Sequence, residues 1–366
     1  MKKKLVIFMP SIEGGGVEKN LFIVANYLTK KIDNIALITI SKKYKSKFDK
    51  SIDFISLESE IWDKQSRKFK YFLSLYLLLK EILKNRNLLI FAFQANIYCI
   101  ILCKIFKVKI IVRSNSAPIG WSQNLIKNFF FKYFLNKADK VMVNSVEFKK
   151  SIKKRFNVNA ICIYNPLNKF EILKKSKVKS KKYFLTNKKI KILNIGRYVD
   201  QKDQETLIRA LNEIKKKVNF EAIIVGKGIL KKKMLTLINK FKLNKMIKLK
   251  NFMENPFPIL KQSELFILTS KFEGLPNVLL ESIVLKKSII SSDCETGPRE
   301  ILDDGKGGTL FRTNDYKDLA KKIFLFSKNK KKYKKKNKIA YERLKRFDYN
   351  YNLNKYLKLV SKELNF

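Results

Sequence analysis

Two carboxylates, Glu273 and Glu281, stand eight residues apart in "SKFEGLPNVLLESIVLKKSII" (Ser270 to Ile290). An apolar run of strand length, "LFILTS", precedes them, and Pro276 suits the first turn of a helix running through Glu281. Glu273 then sits in a strand-to-helix loop and Glu281 inside the helix. The backbone amides of Gly274, Leu275, Asn277 and Val278 cluster at that helix start, where a phosphate or sugar oxygen is favoured. A carboxylate accepting two hydrogen bonds matches paired hydroxyls. A surface glutamate followed by a helix-dipole glutamate would give the same letters, so other residues must decide.

Two cations stand at another strand end. "NIGRYVDQKD" (Asn194 to Asp203) places Arg197 and Lys202 five residues apart across a short loop. Next to a helix start they suit a diphosphate, held by charge-assisted hydrogen bonds of about 1.5–3 kcal/mol each. Gly14-Gly15-Gly16 follows the strand "KLVIFMP" and precedes the helical "VEKNLFIVANYL". Glycines there let backbone approach a ligand closely, although the run is not GxGxxG and a plain tight turn fits it too. Gly226, in "VGKG", ends a further strand.

Composition narrows the chemistry. The 366 residues contain no histidine, so no Ser-His-Asp triad, Cys-His pair or histidine base exists. Cys99, Cys103, Cys162 and Cys294 form no CxxC pair, which argues against zinc and for small buried apolar residues. Catalysis must use carboxylates, Lys, Arg, backbone amides or the substrate itself. Eighty basic residues face thirty-one acidic ones for a net charge of +49. Only ten of the eighty are Arg, the residue that nucleic-acid readers favour. Compositional drift toward Lys explains part of this charge; an anionic membrane surface or acidic acceptor would explain the rest.

Elements that could position these residues follow from the apolar pattern. Strand-like runs alternate with helical patterns throughout: "KLVIFMP", "IALITI", "FISL", "LLIFAF", "KIIVRS", "KVMVNS" and "AICIYNP", then "KILNIGR", "EAIIVG", "IKLKNF", "LFILTS" and "SIISSD". Such runs suit parallel strands buried on both faces, hence an α/β fold of two doubly wound Rossmann-like domains. The expected boundaries are 1–170 and 190–347, with the Lys-rich stretch 171–189 as linker and a helix at about 348–366 packing back on the first domain. Ligands of such domains bind beyond the carboxyl ends of the strands, here in an interdomain cleft. The N-terminal "MKKKLVIFMP" reads as a first strand, not a signal peptide, and no run is long enough to span a bilayer, so a cytoplasmic protein is expected.

Two helical segments combine bulk and charge. In Arg67 to Asn85 a wheel gathers Arg67, Lys70, Ser74, Glu81, Lys84 and Asn85 on one side, interrupted by Leu77, leaving the apolar remainder for the core. In Trp121 to Lys140, Lys127, Lys132 and Lys137 point in different directions, which breaks a clean stripe, but Lys stems around an aromatic body can sit at a lipid interface.

The motifs occur in a fixed order: a Gly-rich loop, "GR....K", "VGKG", then Glu-x7-Glu followed by "SIISSDCETGPREIL". In this the chain resembles the retaining GT-B glycosyltransferases of family four over nearly its whole length. "NPL" (Asn165 to Leu167) and "ADKVMVNS" (Ala138 to Ser145) add to the likeness. The resemblance implies a transferase moving a hexose or N-acetylhexosamine from a nucleotide diphosphate sugar, a UDP-sugar by family habit, with retention. It implies Arg197 and Lys202 on the diphosphate, Glu281 on the ribose hydroxyls and Glu273 facing the sugar. Gly15, Gly16, Gly226, Gly274, Leu275, Asn277 and Val278 would complete the donor site, with no metal or other cofactor. Many relatives carry a first-domain His; here "VRSNSAP" offers Arg113 and Asn115 on the acceptor side. Ser282 and Lys287 stand where the family usually has Ala and Gly. The expected partners are a nucleotide sugar and a glycan or lipid-linked acceptor of surface polysaccharide, lipopolysaccharide or capsule synthesis, at the inner membrane face. A nucleotide-sugar epimerase is the alternative enzyme. A basic nucleic-acid-binding protein is the alternative outside enzymes, although no recognition helix supports it.

Overall fold

The Val/Ile/Leu runs pair into two wholly parallel sheets. The computed structural model describes residues 3–57, 61–62, 65–94, 96–121 and 124–364. The chain divides into two compact units, Met1–Pro166 with Tyr349–Phe366, and Leu167–Asp348.

Unit 1 holds β1 (Lys4–Phe8), β2 (Ile35–Ile38), β3 (Asp53–Ile55), β4 (Leu88–Ala92), β5 (Lys109–Arg113), β6 (Lys140–Val143) and β7 (Ala160–Cys162) in the order β3-β2-β1-β4-β5-β6-β7. Its helices are α1 (Gly16–Leu28), α2 (Arg67–Lys84), α3 (Asn96–Ile105), α4 (Leu125–Lys137) and α5 (Val146–Phe156). The pleat decides which helix covers which face. Leu5 and Ile7 pack with α1 and the helix Tyr349–Leu364, while Val6 and Phe8 pack with α2, α3, α4 and α5. Ser122 and Gln123 of the Trp121 to Lys140 segment lie outside the described residues.

Unit 2 holds β8 (Ile190–Ile195), β9 (Phe220–Val225), β10 (Ile247–Lys250), β11 (Leu265–Leu268), β12 (Ser288–Ser292) and β13 (Thr309–Phe311) in the order β10-β9-β8-β11-β12-β13. Its helices are α6 (Lys169–Ser176), α7 (Gln204–Ile214), α8 (Lys231–Lys240), α9 (Phe257–Gln262), α10 (Asn277–Val284), α11 (Pro298–Ile301), α12 (Tyr316–Lys328) and α13 (Lys330–Glu342); Tyr349–Leu364 is then α14. Strand order reverses between β8 and β11, the switch point where such sheets open a ligand crevice.

Three expectations need correction. Residues 171–189 are no loose linker: α6 packs on α9 and α10, Phe184 is buried, and Leu185 N donates to Glu221 at 2.8 Å. Ile172 and Phe184 supply the apolar surface that the lysine count masked. The polar side of α2 is not its wet side: Lys70 and Ser74 are buried, and Glu81 pairs with Lys4 of β1 at 2.8 Å. Phe69, Phe72, Tyr76 and Leu83 are exposed instead.

Arg113, expected on the acceptor side, is fully buried at the end of β5. Its guanidinium donates to Tyr356 Oη of α14 at 3.2 Å and Asn165 Oδ1 at 2.8 Å, and to Asn115 Oδ1. It also lies 5.3 Å from the Phe93 ring centre. Asn115 in turn donates to Phe93 O at 2.8 Å. A guanidinium with no exposed surface must spend its donors internally, so these residues fasten α14 to the sheet. Arg113→Met is expected to lower the unfolding free energy by about 2–4 kcal/mol and Tyr356→Phe by about 1–2 kcal/mol, read from urea unfolding curves.

Candidate functional site

Unit 2 brings three strand-to-helix loops together at its switch point. The loop after β8 is anchored by Tyr198, whose side chain is fully buried and whose hydroxyl donates to Lys250 O at 2.6 Å. Its own N–H donates to Lys227 O at 2.8 Å. Gly226 explains the "VGKG" sequence: a Cβ there would lie 1.9 Å from Gly196 O, so only glycine lets the two loops touch. Gly226 is thus placed as a packing residue under the Arg197 loop.

Beyond Tyr198 the chain makes one 3-10 turn, Asp200–Lys202, and enters α7 through Asp203. Asp203 adopts φ 45°, which Asp tolerates, and its carboxylate accepts from Thr206 Oγ1 at 2.6 Å. Arg197 is exposed and reaches Gln201 Oε1 at 3.4 Å, while its carbonyl accepts from Gln204 Nε2 at 3.0 Å. Lys202 turns the other way, toward the loop after β11.

The β8 and β11 loops are sewn together. Thr269 Oγ1 donates to Lys202 O at 2.8 Å, Lys271 N to Gln201 O at 2.8 Å, and Gln201 Nε2 to Phe272 O at 3.0 Å. Lys202 Nζ then pairs with Glu273 Oε1, the two side chains being 17% and 8% exposed. Ser270 Oγ donates to the same carboxylate oxygen at 2.6 Å. The loop after β12 closes the arrangement: Phe272 bridges Glu295, and Thr296 Oγ1 donates to Glu273 O at 2.5 Å. Gly297, at φ 88°, sits where a Cβ would come within 2.5 Å of Gly274 O. Gln201, Ser270 and Thr296 escaped the sequence reading because single polar residues in loops carry no spacing signal.

Glu281 is buried on α10, whose N-cap is Pro276 and carries no side-chain cap. The amides of Gly274, Leu275, Asn277 and Val278 therefore belong to a helix end without a side-chain cap of its own. Ser282 donates to Val278 O at 2.7 Å, and Lys287 Nζ to the carbonyls of Lys261 and Ser263 at 2.7 and 2.9 Å. Both departures from the family pattern are absorbed as internal bonds. Cys294 lies buried beside this loop, and burial pushes its thiol up, so it is no nucleophile.

In unit 1 the first loop is less open to an anion than its glycines imply. Gly14 takes φ 85°, and Gly15 is the N-cap of α1. Glu18, buried in the first turn of α1, folds back so that Glu13 N donates to it at 3.4 Å; a Cβ on Gly15 would lie 2.8 Å from its carboxylate. The helix end near Gly15 and Gly16 already has a negative group beside it.

Residues 175–343 match the family model described as glycosyl transferases group 1. Through them the second half of the chain is similar to that family. The matched region contains Arg197, Lys202, Gly226, Glu273 and Glu281, so the sewn loops lie within the family's own segment. An uncharacterized glycosyltransferase of Methanocaldococcus jannaschii is 36% identical over 218 residues, 56% of this chain and 53% of that protein's length. A Campylobacter jejuni protein named N-acetylgalactosamine-N,N'-diacetylbacillosaminyl-diphospho-undecaprenol 4-alpha-N-acetylgalactosaminyltransferase is 26% identical across 94% of this chain and 96% of its own. Anabaena HepE, solved in complex with UDP-glucose, superposes with a TM-score of 0.77 at 16% identity over 98% of this chain and 100% of its own. The two Rossmann-like units are those of the GT-B fold.

Two outcomes test this geometry. Removing Lys202 would leave a nearly buried carboxylate with Ser270 alone. Lys202→Met should cost about 1–3 kcal/mol of stability, and adding Glu273→Gln should return at least half, as a double-mutant cycle by urea unfolding would record. Burial lowers the Lys287 amine from the usual lysine value to about 8. Above that pH the folded chain holds it neutral, with two N–H donors for the two carbonyls, while the unfolded chain still binds the proton. Stability therefore rises with pH between about 8 and 10. The stability difference between the unmutated protein and Lys287→Met should grow by about 1–2 kcal/mol from about pH 7.5 to about pH 9.5 in urea titrations.

Proposed function

We propose that this chain transfers a hexose or N-acetylhexosamine from a nucleotide diphosphate sugar, UDP being the nucleotide, to a lipid-linked or surface-polysaccharide acceptor. The anomeric configuration is retained. The observation that carries this reading is the Lys202–Glu273 pair at the switch point of unit 2, with Arg197 on one flanking loop and the start of α10 on the other. The match of residues 175–343 to the glycosyl transferases group 1 family model supports the reaction class. The Campylobacter jejuni relative, named for a diphospho-undecaprenol substrate, supports a lipid-linked acceptor, and the UDP-glucose complex of Anabaena HepE supports the donor.

In this mechanism Arg197 and Lys202 hold the donor diphosphate. Glu281 accepts hydrogen bonds from the ribose hydroxyls and Glu273 faces the sugar, while keeping Lys202 in place. The bond between the anomeric carbon and the phosphate oxygen breaks as the bond to the acceptor oxygen forms on the same face. The acceptor's proton passes to the leaving β-phosphate oxygen, so a protein without histidine needs no base of its own. Stabilising the charge on that oxygen is the largest catalytic contribution, and Lys202 and Arg197 supply it without a metal ion.

A thermal-shift screen across nucleotide sugars tests the donor assignment. UDP-sugars should raise the melting temperature of the unmutated protein, and Glu281→Ala or Arg197→Ala should abolish most of that rise. With the stabilising donor, Arg197→Ala should lower kcat/KM about 10²- to 10³-fold. Rates should be unchanged by a chelator. Failure of every nucleotide sugar to stabilise the protein would overturn the reading, and a shift that survives both substitutions would move the ligand elsewhere.

A further inference from the structure

Helix α4 carries its large apolar side chains on the outside. Leu125, Ile126, Phe129, Phe130 and Tyr133 are 84, 68, 66, 51 and 51% exposed. At 100° per residue these five positions fall within one continuous stripe. The inward side of the same helix is served by Leu135, which is buried, and by Phe131 and Phe134. Lys132 flanks the stripe and Lys137 lies within it, with its Nζ 5.4 Å from the Tyr133 ring centre. Lys127, Lys132 and Lys137 point in different directions: Lys132 borders the exposed apolar arc, Lys137 lies within it and Lys127 falls outside it.

The pattern continues on the neighbouring helices. α3 lies between α2 and α4 on the same face of the unit 1 sheet. α2 exposes Phe72, Tyr76 and Leu83, and α3 exposes Tyr98 and Ile105. The three helices carry nine Lys or Arg and one acidic residue, Glu81, which is turned inward to Lys4. An outer layer that is apolar, aromatic and exclusively cationic complements one partner in particular. Acyl chains take the apolar stripe, aromatic rings sit at headgroup depth, and lysine stems reach up to lipid phosphates. Among the described residues no helix is long and apolar enough to cross a membrane, so the helices would lie in its surface.

We propose that the outer face of α2, α3 and α4, led by the Leu125–Tyr133 stripe, docks unit 1 onto an anionic lipid bilayer. This surface stands beside the lipid-linked acceptor proposed above and does not rest on it. The test is flotation of the full chain with vesicles of phosphatidylcholine alone or mixed equally with phosphatidylglycerol. Binding is expected to the mixed vesicles only, and to persist in part at high salt because the apolar side chains insert. The exposed-site variant Ile126→Ser/Phe129→Ser/Phe130→Ser should bind about tenfold or more weakly while keeping its melting temperature. Lys132→Glu/Lys137→Glu should lose chiefly the salt-sensitive part.

Equal binding of the triple variant, or no binding by the unmutated chain, would overturn the proposal. So would a dimer in sedimentation equilibrium that the triple variant dissolves while vesicle binding is unaffected, because the stripe would then serve a second copy. The donor-induced thermal shift, measured on the same variants, separates the two readings: it should survive loss of vesicle binding, and vesicle binding should survive failure of the donor assignment.

Discussion

A lysine ammonium and a glutamate carboxylate that are both nearly out of water must find each other, or the protein loses several kcal/mol. Unit 2 is arranged around that requirement. Lys202 comes from the loop after β8, Glu273 from the loop after β11, and the loop after β12 holds Glu273 by its carbonyl. The strand reversal falls between β8 and β11, the two strands whose loops supply the pair. Because Thr269 and Gln201 tie the two loop backbones together and Ser270 holds the Glu273 carboxylate, the two charges are set in place by the fold. Preorganised charge of this kind needs no rearrangement when a bond breaks nearby.

Twelve of the thirteen strands among the described residues were legible, most of them because parallel strands buried on both faces leave unbroken Val/Ile/Leu runs. β13, Thr309–Phe311, was not, since three residues after a glycine pair, two of them half-buried, give no periodicity. The cations and carboxylates of the site were legible by their position after strands. Their pairing was not, because Lys202 and Glu273 are seventy-one residues apart and only the sheet order makes them neighbours. Glycine proved ambiguous: Gly226 and Gly297 admit neighbouring backbone, and Gly15 makes room for Glu18.

Helical wheels failed where polar residues have partners deep in the fold. Lys70 and Ser74 of α2 are buried and Glu81 meets Lys4, so polarity alone pointed the helix the wrong way round. Arg113 misled for a related reason. It was expected on the acceptor side because it stands where many relatives carry a His, yet three neutral partners and an aromatic face satisfy its guanidinium internally. In a chain with a net charge of +49, charge ceases to mark the surface.

α14 gives the first unit a debt to the far end of the chain. Leu353, Tyr356 and Val360 are fully buried in the same cluster as Leu5 and Ile7, although all of unit 2 lies between them in sequence. During synthesis, β1 to β7 emerge long before residues 349–364 do. The face of the sheet they will cover, with Arg113 behind it, has to wait while the contiguous second unit is made and can fold on its own. Chaperone binding and proteolytic nicking of nascent chains should therefore concentrate on the part of the protein that is translated first, not last.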